Sequence, residues 1–401
     1  MNRTEMELNL VNEVSATNYK PLPVVLTEGE GIWVKDLDGN KYMDMLSAYS
    51  SLNQGHRHPR IIKALKDQAD KITVTSRAFH NDQMGSFLKK LCQMSGFEKA
   101  LPMNTGAEAV ETCIKAARKW ALETKGITDG EIIACADNFH GRTVTTISFS
   151  SEPQYREGFG PYTPGFVIVP YGDAKAMEAA VNEKTIAVIL EPVQGEAGVI
   201  VPPAGYLKDV RALCDKHKIL MIVDEIQTGF ARTGKLFAFE HEGIRPDVVS
   251  VGKALGGGVY PVSAMLSNDE VMRVFRPGDH GSTFGGNPLA AAVGKASLEV
   301  IEEEKLAERS RELGAFFMEE IAKMNSPFVK EIRGKGLFIG VEIKAECGPA
   351  RPFCEKLMEL GLLCKETHQQ TIRFAPPLII AKEELEQALA AIRKVLVEKA
   401  A

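Results

Sequence analysis

The hydrophobic positions in the middle of the chain fall into short runs, separated by longer stretches with helical spacing. Runs over 131–136, 167–170, 186–190, 219–223 and 262–266 are rich in β-branched residues and predict strands. A shorter apolar run lies at 248–251. Several of these runs are apolar on both faces, the pattern of a parallel sheet covered by helices. Between them, 175–182 and 205–217 predict helices. This alternation predicts an α/β layered domain with a parallel or mixed sheet. Ligands of such sheets bind outside the carboxyl ends of the strands, and both Glu191 and Asp224 fall at such ends.

The pattern changes after about Leu289. A long helical stretch with charged faces covers 289–324, strands are predicted over 329–343 and 371–374, and an amphipathic helix over 382–399 closes the chain. Near the other end, 31–37 and 41–45 flank the turn Asp38-Gly39-Asn40 as a hairpin does. We expect residues 51–289 to form a large domain, and 1–50 with 290–401 to form a smaller α+β domain.

Composition narrows the function. At 401 residues, 44% hydrophobic and 25% charged, the chain can bury a large core and disorder is not expected. A formal charge of -5 without a basic block argues against nucleic acid or an acidic membrane surface as partner. Seven cysteines without a CxxC pair read as reduced thiols, not a disulfide frame. The first twenty residues lack an apolar signal core and carry acids early, so neither a secretory nor a mitochondrial leader fits and a cytoplasmic location is expected.

The chemistry concentrates between Ile219 and Gly258. An apolar run ends abruptly in Asp224, and Lys253 follows the apolar run 248–251. A lysine in apolar surroundings, with a carboxylate at a buried strand end, is what pyridoxal 5'-phosphate (PLP) chemistry requires. The lysine holds the cofactor aldehyde as an imine, and the carboxylate keeps the pyridine nitrogen protonated. Apolar surroundings also favour the neutral amine that attacks aldehydes. Thr105 and Glu108 match a capping box, so a helix starts there, with Gly106 allowing close backbone approach to an anion. By itself this is an ordinary capped helix; beside Asp224 and Lys253 it becomes a phosphate site. Phe139 and Arg142 follow a strand end, where an aromatic can stack on a flat ring and an arginine can clamp a carboxylate. A core Phe and a surface Arg would look the same. Glu191 to Glu196 makes a tight loop after a buried strand, and His280 to Pro288 is either a phosphate loop or a plain turn. His56 and His58 have no matching ligand cluster and are not read as metal ligands.

The segment DEIQTGFARTGK at 224–235, with Lys253 downstream, resembles the class III aminotransferases of PLP fold type I, and the resemblance covers nearly the whole chain. It implies a large domain with a mostly parallel sheet of seven strands, a small domain built from both termini, and a homodimer with active sites at the subunit interface. Carried over residue by residue, Lys253 resembles the cofactor lysine, Asp224 the partner of the ring nitrogen, and Gln227 that of the ring hydroxyl. Phe139 resembles the stacking residue, Gly106 and Ala107 the backbone phosphate donors, and Thr283 a phosphate ligand from the neighbouring subunit. Arg142 resembles the clamp for the carboxylate far from the reacting amine. Glu196 and Arg373 resemble a switch pair, and Tyr19 and Tyr49 the residues around the α-end of a diamino acid. Members acting on ornithine are resembled most, which implies transfer of the δ-amine of L-ornithine to 2-oxoglutarate, leaving glutamate 5-semialdehyde and glutamate. Relatives acting on N-acetylornithine or 4-aminobutyrate share the cofactor residues, and a PLP aminomutase uses a similar scaffold.

Overall fold

The computed structural model describes residues 3–397. Seven strands form the central sheet, in the spatial order Lys99–Met103, Ser263–Ser267, Val248–Val251, Leu220–Asp224, Thr185–Leu190, Glu131–Cys135 and Phe166–Val169. The five from Val248–Val251 to Phe166–Val169 are parallel. Ser263–Ser267 runs antiparallel to both of its neighbours, so the sheet is mixed. Thr185–Leu190, Leu220–Asp224 and Val248–Val251 are buried at every residue, which is why their sequences do not alternate. Successive residues feed two separate cores. Ile133, Val188 and Met221 face one, and Ile132, Ile189 and Ile222 face the other.

Both ends of the chain contribute to one further sheet. Leu26–Glu30, Trp33–Asp36 and Lys41–Asp44 form an antiparallel set, and Leu362–Leu363 adds to it in parallel beside Lys41–Asp44. Another four-stranded sheet holds Val329–Lys335, Phe338–Ile343, Thr371–Phe374 and Lys365–Thr367. Arg232 ties the parts together. Wholly buried, it donates to the carbonyls of Leu337 (2.9 Å) and Pro376 (2.7 Å) and to Asn53 Oδ1 (2.5 Å). The strand bearing Arg373 is thereby set against the loop that follows Asp224.

Three expectations need correction, and one strand of the central sheet carries no strand signal in the sequence. The helical stretch over 289–324 is two helices, Pro288–Glu303 and Leu306–Lys323, because Lys305 turns left-handed (φ 51°). The reversal lets Ile301 and Leu306, on either side of the break, both be buried. The strand over 329–343 is a hairpin that reverses at Gly336, where the left-handed φ of 55° suits glycine and an added Cβ would lie 2.5 Å from Ser310 Oγ. The closing helix runs over Lys382–Leu396, and positions 398 and 399 lie outside the described residues. Lys99–Met103 was not predicted as a strand. It carries Pro102, and it occupies the end of the sheet order, where a missing N–H is tolerated. Among the described residues no helix is long and apolar enough to cross a membrane.

Candidate active site

Asp224 ends the Leu220–Asp224 strand, and Lys253 begins the short turn that follows the neighbouring Val248–Val251 strand. Parallel pairing of the two strands brings both residues to one cavity of about 210 Å³, lined also by Gly106, Ala107, Phe139, His140, Glu191 and Gln227. Lys253 itself is left-handed (φ 44°), a costly shape for a non-glycine residue and one met at functional sites.

The carboxylate is fixed from behind. Asp224 Oδ2 lies 2.6 Å from His140 Nδ1, and Oδ1 accepts the N–H of Ile226 at 3.0 Å. An ionised carboxylate can only accept, so Nδ1 carries the hydrogen. Burial acts to lower the His140 pKa, but the hydrogen bond and charge of Asp224 outweigh it and the value rises. The other ring nitrogen, Nε2, is buried without a partner. Burial lowers the Lys253 amine from its ordinary value, against the opposing pull of Glu196 and Asp224. Glu191, also at a strand end, is pushed up to about 7, first by burial and further by the Asp224 charge, with His140 opposing. Its Oε2 accepts the N–H of Phe139 at 3.0 Å, which fixes the loop behind that ring.

The expected capping box is present with both legs. Thr105 Oγ1 accepts from Glu108 N–H (3.2 Å), and Glu108 Oε2 accepts from Thr105 N–H (2.8 Å). No intrahelical carbonyl can reach the N–H groups of Gly106 and Ala107 in this first turn. At Gly106 an added Cβ would sit 3.0 Å from Ile226 Cδ1, so the backbone lies close to the cavity wall. A lysine amine, a braced carboxylate, a flat aromatic ring and a helix start that favours an anion are together the donor set that suits PLP.

A wider cleft of about 1000 Å³ opens from the same lysine. It is lined by Tyr19, Tyr49, Phe139, Arg142, Glu196 and Arg373, with Tyr155 among further residues. Arg373 Nη1 donates to Glu196 Oε1 at 2.7 Å, and Gln227 Nε2 donates to the same oxygen at 3.2 Å. Burial would raise Glu196, but the Arg373 charge and hydrogen bond dominate and hold it at about 2. The Arg373 guanidinium lies 5.0 Å from the centre of the Tyr49 ring. Burial raises the Tyr49 phenol, with Arg373 opposing, so it remains a neutral donor. Arg142 is exposed and lies over two rings, 4.1 Å from the centre of Tyr155 and 5.5 Å from that of Phe139.

Thr283 alone among the expected residues is not brought to either cavity. It sits exposed on the loop before Asn287, next to the half-exposed Phe284. Three residues at the site were not singled out from sequence. His140 lies between Phe139 and Arg142, and its partner lies 84 positions away. Tyr155 supports Arg142 from the short helix Pro153–Arg156, further along the same connection between strands. Asp44 shapes the turn that carries Tyr49, through bonds to the N–H groups of Leu46 (2.9 Å) and Ser47 (2.8 Å).

The sequence pattern of the family Aminotransferase class-III matches residues 14–396, and the chain belongs to that family. It is 58% identical over 398 residues to the ornithine aminotransferase of Brevibacillus brevis, covering 99% of each chain. Among solved structures it is similar to the ornithine aminotransferase of Toxoplasma gondii, which holds PLP at partial occupancy in its active site. That likeness has a TM-score of 0.96 at 44% identity and covers 98% of this chain and 94% of that one. It is also similar to the acetylornithine aminotransferase of Elizabethkingia anophelis, with a TM-score of 0.89 at 46% identity over 99% of both.

Proposed function

We propose that this aminotransferase binds PLP on Lys253 and moves the δ-amine of L-ornithine to 2-oxoglutarate. The observation that carries the substrate reading is the Glu196–Arg373 pair beside Tyr49, within reach of one lysine. The names of relatives 57% to 59% identical over nearly the full chain support it.

When bound, PLP supplies an aldehyde that condenses with amines and a ring that takes up the electron pair released at the substrate carbon. The chain's own residues do the rest. Gly106 and Ala107 would offer backbone N–H groups to the phosphate, Phe139 a face for the ring, and Gln227 a partner for the ring hydroxyl. Asp224, braced by His140 and Ile226, holds a proton on the ring nitrogen. Lys253 Nζ, its basicity reduced by burial, would take the proton from the substrate carbon bearing the amine and pass it to the former aldehyde carbon, and would carry a proton the opposite way in the second half of the cycle.

Selection between the two amines follows from charge. Ornithine reacts at its far amine, so only its tail needs holding, by Tyr19 and Tyr49. Glutamate reacts next to a carboxylate, which needs a cation there, while Arg142 holds the distal carboxylate. While Glu196 covers Arg373, that cation is masked. With Glu196 held at about 2, the pair is not opened by protonation near neutral pH; a competing carboxylate has to displace it. Replacing Glu196 with Ala should therefore raise kcat/KM for glutamate relative to ornithine by about tenfold, equivalent to about 1.4 kcal/mol. An unchanged ratio in steady-state assays would remove the switch.

We further propose a homodimer in which Thr283 reaches the phosphate in the partner's cavity. The exposed Phe79 and Phe284 support an interface here, since the Asn81 amide donates to Gly286 O (3.1 Å) and joins their two segments.

The test is a comparison of kcat/KM for L-ornithine, N-acetylornithine and 4-aminobutyrate with 2-oxoglutarate as acceptor. L-ornithine should be preferred. Preference for N-acetylornithine would refute the donor, and turnover without any oxo acid would favour an aminomutase.

A further inference from the structure

We propose that Asp44 and His56 are positioning residues for donor choice: they hold the turn Ser47–Ser50 in the shape that presents Tyr49 to Arg373. The inference rests on the reading of Tyr49 given above.

The backbone makes the case. Ser47 (φ 53°), Ala48 (φ 46°), Tyr49 (φ 61°) and Ser50 (φ 71°) are four consecutive left-handed residues without a glycine among them. A Cβ disfavours this conformation at each, so a run of four persists only where the surroundings over-determine it. The turn's own hydroxyls do not help, since those of Ser47 and Ser50 are buried without partners. Its backbone closes on itself, the N–H groups of Ser51 (2.8 Å) and Leu52 (3.1 Å) donating to Ser47 O, and the Gln227 amide reaches Tyr49 O at 3.5 Å. The entry to the turn is held from outside. Asp44 Oδ1 accepts the N–H groups of Leu46 (2.9 Å) and Ser47 (2.8 Å), fixing the entry to the turn. Its other oxygen accepts from His56 Nε2 at 2.8 Å. His56 is anchored in turn, its N–H donating to Gly31 O (2.7 Å) and its carbonyl accepting from Gly31 N–H (3.0 Å).

The entry is also joined to the far side of the cleft. Met45 O accepts the N–H of Ala375 (2.7 Å), two residues beyond Arg373. The left-handed turn and the arginine strand thus share one hydrogen-bonded frame. Relaxation of the turn towards the right-handed region would swing the Tyr49 side chain away from the guanidinium, while the frame kept Arg373 in place. Tyr49 and its selectivity depend on the turn; the lysine and the carboxylate on the central sheet do not.

The experiment measures kcat/KM for L-ornithine and 4-aminobutyrate on holoenzyme, with 2-oxoglutarate as acceptor, in Asp44→Ala, Asp44→Asn and Tyr49→Ile. Tyr49→Ile should lower the ornithine to 4-aminobutyrate ratio about tenfold. Asp44→Ala should lower it by about fivefold or more, through the KM for ornithine, with kcat within about twofold of the parent. Asp44→Asn, whose amide oxygen still accepts, should recover most of the ratio. Adding Ala48→Gly to Asp44→Ala should recover part of it, because glycine adopts the left-handed shape without help. Amide exchange across 46–52 should quicken in Asp44→Ala. If Asp44→Ala does not accumulate as folded protein, His56→Leu, which leaves the aspartate unbraced, is judged on the same ratio. A parent-like ratio in Asp44→Ala or His56→Leu, while Tyr49→Ile loses it, overturns the positioning role and leaves the Tyr49 reading standing. A parent-like ratio in Tyr49→Ile overturns both.

Discussion

Replacing Lys253 with alanine is expected to lower kcat for L-ornithine by roughly 10^2- to 10^4-fold from the lost proton transfer alone. The loss of the attacking amine adds to that. Nothing else at the site can take its place. Among the residues lining the inner cavity, Glu191 is buried and held near 7, but both of its oxygens face backbone N–H groups of Phe139 and Gly195. His140 is turned to Asp224. Fold and stability should change little, since Lys253 makes no hydrogen bond that the sheet needs, and a thermal melt alongside the kinetics separates the two effects. A loss smaller than about tenfold would show that another group moves the proton.

The second large effect is at Asp224. Asparagine there keeps the shape and can still accept from His140 Nδ1–H, but it lacks the charge that holds a proton on a ring nitrogen. A fall in kcat of roughly 10^2- to 10^3-fold is expected, the scale of one well-placed electrostatic group in a dry site. Substitution by alanine should cost stability as well. It strands the buried His140 nitrogen, a penalty of about 1–3 kcal/mol for an unsatisfied group. The pair of variants is informative together: similar kinetic losses with different melting temperatures mean that charge, not packing, is what catalysis uses. Full activity in Asp224→Asn would contradict that role.

Much of this was legible in the chain, for identifiable reasons. Asp224 and Lys253 are local signals. Each follows an apolar run, and the runs are neighbouring parallel strands, so similar ends meet. The Thr105–Glu108 box is contained within four residues, and both of its bonds form. The covered α/β sheet was readable because its central strands are buried on both faces, whereas the antiparallel course of Ser263–Ser267 left no such mark. What escaped depends on distance or on unusual backbone. The break at Lys305 has neither glycine nor proline to announce it. The left-handed run at Ser47–Ser50 also lacks glycine, and it is held by Asp44 and His56 from outside. His140 looked like any loop histidine until folding set it behind Asp224. The Glu196–Arg373 contact spans 177 positions, and only the family likeness suggested it.

The most direct test of the account is borohydride reduction of the purified protein after incubation with PLP, followed by peptide mass mapping. The label should land on the peptide containing Lys253, and L-ornithine added before reduction should prevent it. An unlabelled Lys253, or label on a different lysine, would mean that Lys253 does not hold the cofactor.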